Sequence, residues 1–101
     1  MKLQFKQQDI VAEQVPIEQP HEAAKDLEQR YAQVCAWLID QPGVKDVNFD
    51  HRRGLIWFDH EHAEMTRYEA MPGDYIVFFS RRRPRLYSEL ELTLWFEKVE
   101  D

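Results

Sequence analysis

Four arginines fall within five residues at Arg81-Arg82-Arg83-Pro84-Arg85, with Phe79 and Tyr87 close on either side. Guanidinium groups are planar, permanently charged and able to grip two phosphate or carboxylate oxygens at once, and neighbouring aromatic rings can stack a base. The segment is therefore a candidate nucleic-acid or acidic-partner contact. Its plain reading is a solvated hairpin turn whose charges are countered by acids of the same chain, and exposed pairs of that kind contribute little. Asp59-His60-Glu61-His62 is the metal-like cluster of the sequence. On a strand His60 and His62 would share a face, and imidazole with carboxylate suits zinc or a similar ion. His51 stands nine residues before His60, roughly 25–30 Å along extended chain, so it cannot join them. Two histidines and a carboxylate lack a further ligand. The reading taken is a polar loop past a buried strand, with no metal and no cofactor expected.

The nucleophiles point the same way. Cys35 would need a base and an electropositive setting to act, and it lies on the apolar stripe of a long helix, where an inert buried thiol is expected. Ser80 and Ser88 are the only serines, and neither sits in a nucleophile elbow. Three glycines in the whole chain cannot build a phosphate-cradling loop. The expectation is a protein without catalytic activity.

Charge narrows the partners. The net charge is −6, and six of the arginines are concentrated at Arg52-Arg53 and in the Arg81–Arg85 segment. Without those six, seven basic residues face nineteen acidic ones. Wholesale nucleic-acid binding usually needs a broad basic face, which this balance does not provide. A protein partner fits better, with nucleic-acid contact through the Arg turn as the alternative. At 44% apolar and 13% aromatic, the 101 residues can bury one core, so residues 1–101 are read as a single domain. One cysteine excludes an internal disulfide framework and suits a reducing compartment. No membrane span or signal peptide is read in the chain, and a cytoplasmic location is expected.

The elements that must position these residues follow from periodicity and punctuation. Residues 9–17 are β-branched enough for a strand, limited by Pro16. From Pro20, an apolar stripe at Ala24, Leu27, Tyr31, Val34, Cys35 and Leu38 predicts a helix over about 20–40, ended by Pro42-Gly43. Val44 to Asp50 and Leu55 to Phe58 read as a hairpin around His51-Arg52-Arg53-Gly54, and residues 61–70 as a weak edge strand or a crossover. Met71-Pro72-Gly73-Asp74 is a tight turn, and Tyr75-Ile76-Val77-Phe78-Phe79 after it has the composition of a buried central strand. Leu86-Tyr87 makes a short return strand. Ser88-Glu89-Leu90-Glu91 matches a capping box, which favours a short final helix over a strand. The fold class is α+β, an antiparallel sheet of about four to five strands packed on one face by the long helix, with a short C-terminal helix. The expected core joins Leu27, Tyr31, Val34, Leu38, Phe49, Trp57, Ile76 and Phe78. Trp37 lies beside the main stripe with Ile39. By default the pair widens the core face; alternatively it forms an exposed patch for a partner or a second copy.

In order and in its Pro72-Gly73-Asp74-Tyr75-Ile76-Val77 segment, the chain resembles small phage and prophage proteins built around a Gly-Asp-Tyr/Trp-Ile-Val strand, including the family named for its PGDYG motif. Those proteins follow the strand with a Gly-Glu turn and a Tyr-Pro pair, where this chain has Ser80-Arg81-Arg82-Arg83-Pro84-Arg85. The resemblance implies a small accessory protein of mobile elements and transfers no activity. Together with the acidic charge, it leads to the expectation of a non-catalytic protein acting by protein–protein interaction, as an inhibitor or modulator of a host factor.

Overall fold

The computed structural model describes residues 2–4, 10–61, 67–79 and 84–95. Their strands form two antiparallel sheets in an α+β arrangement. One sheet has the order β1 (Lys2–Gln4), β2 (Ile10–Gln14), β6 (Tyr75–Phe79), β7 (Arg85–Tyr87); the other is the meander β3 (Val44–Asp50), β4 (Leu55–His60), β5 (Tyr68–Ala70). This corrects the expectation of one sheet of four to five strands. The chain does not continue the meander into β6. At Met71-Pro72-Gly73-Asp74 it turns away and inserts β6 between β2 and β7.

The turn explains how. Asp74 N–H donates to the Met71 carbonyl at 3.0 Å, Gly73 takes φ +88°, and Met71 N–H donates to the Asp74 carboxylate at 3.0 Å. Proline followed by a positive-φ glycine is the pattern of a type II turn. The turn also bonds to the end of β2, through Gly73 N–H to Val15 O at 3.0 Å and Val15 N–H to Asp74 O at 2.8 Å. Four consecutive buried residues, Tyr75 to Phe78, then fill a strand covered on both faces, as its continuous apolar run predicts.

Helix α1 (Ala24–Ile39) buries Leu27, Tyr31, Val34, Cys35 and Leu38, the predicted stripe. It begins four residues later than expected because His21 has φ +64°, a left-handed conformation that cannot continue a right-handed helix. Pro20 and His21 instead form a turn, with Glu22 N–H donating to Gln19 O at 3.0 Å. Helix α2 (Glu89–Trp95) follows the predicted capping box: Ser88 N–H donates to Glu91 Oε1 at 3.0 Å, and Glu91 N–H to Ser88 Oγ at 3.2 Å.

Two apolar clusters hold these layers. The larger joins the α1 stripe and Val15 to Ile56 and Phe58 of β4, Ala70 of β5, and Ile76 and Phe78 of β6. One helix therefore seals the inner faces of both sheets. The smaller cluster lies on the other face of the four-stranded sheet, where Leu92 of α2 covers Ile10, Ala12, Tyr75 and Val77. Six of the eight expected core residues, Leu27, Tyr31, Val34, Leu38, Ile76 and Phe78, are buried in the larger cluster. Phe49 is only partly buried, stacked on Tyr31 with ring centroids 6.0 Å apart. Trp57 belongs to neither cluster.

Candidate interaction face

Strand β4 alternates strictly: Ile56, Phe58 and His60 are buried, while Leu55, Trp57 and Asp59 are only partly buried. With side chains alternating across a strand, the inward set faces α1 and the outward set forms the opposite face of the three-stranded sheet. Register places Asp50 opposite Leu55, Asn48 opposite Trp57 and Lys45 opposite Asp59, with Glu69 of β5 opposite Trp57 on its other side. Directly opposed residues share a face. Trp57 thus sits on the middle strand of an outer face bearing Lys45, Asn48, Asp50, Leu55, Asp59 and Glu69.

A bulge in β3 makes this face possible. Val44 and Phe49 are five positions apart, an odd spacing that would put them on opposite sides of a regular strand. The register shifts between Lys45 and Asn48, and Asp46 takes φ +53°. The extra residue restores both apolar side chains to the core side and leaves Asn48 and Asp50 outside, beside Trp57 and Leu55. At the hairpin, Asp50 Oδ1 accepts from the backbone N–H of Arg52 and Arg53 at 3.1 and 3.2 Å, an Asx-type turn.

The other candidates are placed elsewhere. Asp59 and His60 lie on opposite faces of β4, so they cannot share an ion, and His62 lies outside the described residues. His60 Nε2 donates to the Pro42 carbonyl at 3.1 Å, with its ring 6.4 Å from that of Phe78. Among the described residues no group of three or more His, Cys, Asp or Glu could hold a metal ion. Cys35 is buried in α1, and burial pushes its thiol up to about 11, which leaves it protonated near neutral pH. Arg81, Arg82 and Arg83 lie outside the described residues; Arg85 opens β7 and is exposed. Trp37 is half-buried, with its ring edge-on to Phe78 at 5.5 Å, and Ile39 beside it is 62% exposed. Trp37 packs on Phe78 of β6 at the flank of the core, and Arg85 of β7 pairs opposite the neighbouring Val77.

A groove of about 270 Å³ runs between the end of β2 and α1, lined among others by Glu13, Gln14, Arg30 and Gln33. Its cation is already engaged: Arg30 Nη1 donates to both carboxylate oxygens of Glu22 at 2.7 and 3.0 Å and to Ile17 O at 3.2 Å. Among the described residues no helix is long and apolar enough to cross a membrane. No family model matches the chain, and neither a curated protein nor a solved structure matches it.

Read as an unbroken apolar run, Leu55-Ile56-Trp57-Phe58 places Trp57 in the core. The signal against that assignment is Asp59. A carboxylate avoids a core, and stepping back from it by twos selects Trp57 and Leu55 as the outward pair.

Proposed function

We propose that this protein is a small, acidic, non-catalytic accessory protein of phage or mobile-element type that acts in the cytoplasm by binding another protein. The observation that carries this reading is the outer face of the three-stranded sheet, where Trp57 and Leu55 pack in neither core cluster. A partly buried tryptophan on an outward face amid polar neighbours has the character of an interface anchor. The acidic net charge and the resemblance around Pro72–Val77 support the same reading. In this role the protein inhibits or modulates a host factor, for instance a nucleic-acid-binding complex whose basic surface it covers.

The test is affinity capture from host extract with wild type and with Trp57→Ser protein, both verified as folded by circular dichroism. A partner identified by mass spectrometry, retained by the first and lost by the second, is the expected result. Capture that ignores Trp57 in every case removes the reading.

A further inference from the structure

We infer that the outer face of the β3–β4–β5 sheet receives a lysine- or arginine-rich segment of a protein partner. The inference rests on the interaction reading above and adds the chemistry of what is bound. Three carboxylates share the face with Trp57. Glu69 is directly opposite it on β5, Asp59 is two residues along β4, and Asp50 stands opposite Leu55. From the geometry of paired strands, Glu69 lies about 5 Å from Trp57 between Cβ atoms, and Asp59 roughly 7 Å along the strand. Two described cations flank Asp59: Lys45 opposite it on β3, and exposed Arg67, which precedes β5 and continues its register onto Asp59, so three carboxylates leave the face with a net negative charge.

Charge decides between occupants. An apolar partner would take the carboxylates out of water without a counter-charge, which costs more than the buried tryptophan returns. An anionic partner, nucleic acid included, meets like charge at short range. A second copy would bring the same carboxylates face to face, and each copy carries a net charge of −6. A basic segment meets none of these penalties. Its cation can lie on the indole, whose electron-rich face attracts ammonium and guanidinium groups. Arginine does this while its N–H fork reaches a carboxylate such as Glu69, so it is the better fit of the two. The net negative field also draws such a segment in from a distance, which makes association sensitive to salt.

The experiment uses the full chain, labelled with ¹⁵N, titrated with a peptide of alternating arginine and serine and with its glutamate–serine counterpart. The expected result is saturable shifts centred on the Trp57 indole, Asn48, Asp59 and Glu69 with the arginine peptide only. Affinity should fall about ten-fold in Trp57→Ser and again in the Asp59→Asn/Glu69→Gln pair. The carboxylate pair changes no buried group, so it keeps the test alive if Trp57→Ser does not fold. Shifts scattered over the acidic surface, or affinity unchanged in the carboxylate pair, would overturn the inference. Sedimentation showing self-association abolished by Trp57→Ser would overturn it in favour of a second copy. A captured protein that depends on Trp57 but ignores Asp59→Asn/Glu69→Gln would refute the charge inference and leave the interaction reading standing. Peptide binding at this face, with no captured protein depending on Trp57, would do the reverse.

Discussion

At Gly43 the backbone has φ +82°, and an added Cβ would stand 2.8 Å from His60 Nε2 and 2.9 Å from Glu61 Cγ. The same loop is tied to the end of β4 by the His60–Pro42 hydrogen bond and by Glu61 N–H donating to Gly43 O at 2.9 Å. His60 is thus a wall of the core and a clasp for the loop leaving α1. Gly43→Ala must force a side chain into a left-handed conformation against a buried ring, so a loss of about 1–3 kcal/mol is expected in urea denaturation. Glu22 makes a second prediction. The Gln19 backbone N–H and the Arg30 guanidinium hold its carboxyl below the ordinary value of 4.5. A depressed folded value stabilises the protein above the unfolded value and ceases to do so as pH falls through the folded one. The excess stability of wild type over Glu22→Gln should therefore be full near neutral pH. It should fade once pH drops below about 4.5, as denaturation midpoints measured across that range will show. An undiminished difference in strong acid would mean the carboxylate is not its source. The Cys35 thiol, raised by burial, should react with an alkylating reagent at the rate of unfolding; fast labelling of the native protein would show that it is not sealed in α1.

Among the elements, β4 and β6 read alike as apolar runs and differ in what covers them. Ile76 in β6 is fully buried, with β2 and β7 on either side. Ile76→Ala should cost about 2–5 kcal/mol, because a strand packed on both faces cannot collapse around the missing methyls. Trp57→Ser removes a larger side chain yet should cost distinctly less, since its outward face is already partly in water. Urea titrations of the two variants side by side check the order, and a costlier Trp57→Ser would return that residue to the core. This contrast marks how far the sequence was legible. Helix α1, the type II turn, the central β6 strand and the Ser88–Glu91 capping box are encoded locally, by spacing and by residues with special backbone preferences, and each was readable. The division into two sheets was not. It depends on the chain leaving the β3–β4–β5 meander at Met71 to pair with β2, some sixty residues earlier in the chain, a long-range choice that no local pattern records. The face of Trp57 was legible in principle from Asp59. The bulge at Asp46 was legible only through the odd spacing of Val44 and Phe49.

For the molecule as a whole, charge separates the two functions that the sequence allows. A nucleic-acid site at the Arg81–Arg85 segment would work from a small basic patch on a chain of net charge −6. Four arginines there permit only a few phosphate contacts. Each neutralised duplex phosphate adds about −0.9 to the slope of log affinity against log salt, so the slope should be no steeper than about −4. The remaining acids repel the backbone on either side of any bound phosphate. Affinity for duplex or single-stranded DNA near physiological salt should thus be no tighter than about 10 μM, within the weak non-specific range. Read from the sequence as a solvated turn, the segment should contribute little to stability, so replacing Arg81, Arg82 and Arg83 together by Ala should leave the thermal midpoint nearly unchanged. Anisotropy titrations of labelled DNA at low and moderate salt, with wild type and the triple variant, measure both quantities. Submicromolar binding lost in the triple variant would sink the accessory-protein reading and make the Arg turn the working surface. Weak binding that the triple variant shares would remove the Arg turn as a nucleic-acid site and leave the protein-interaction proposal standing.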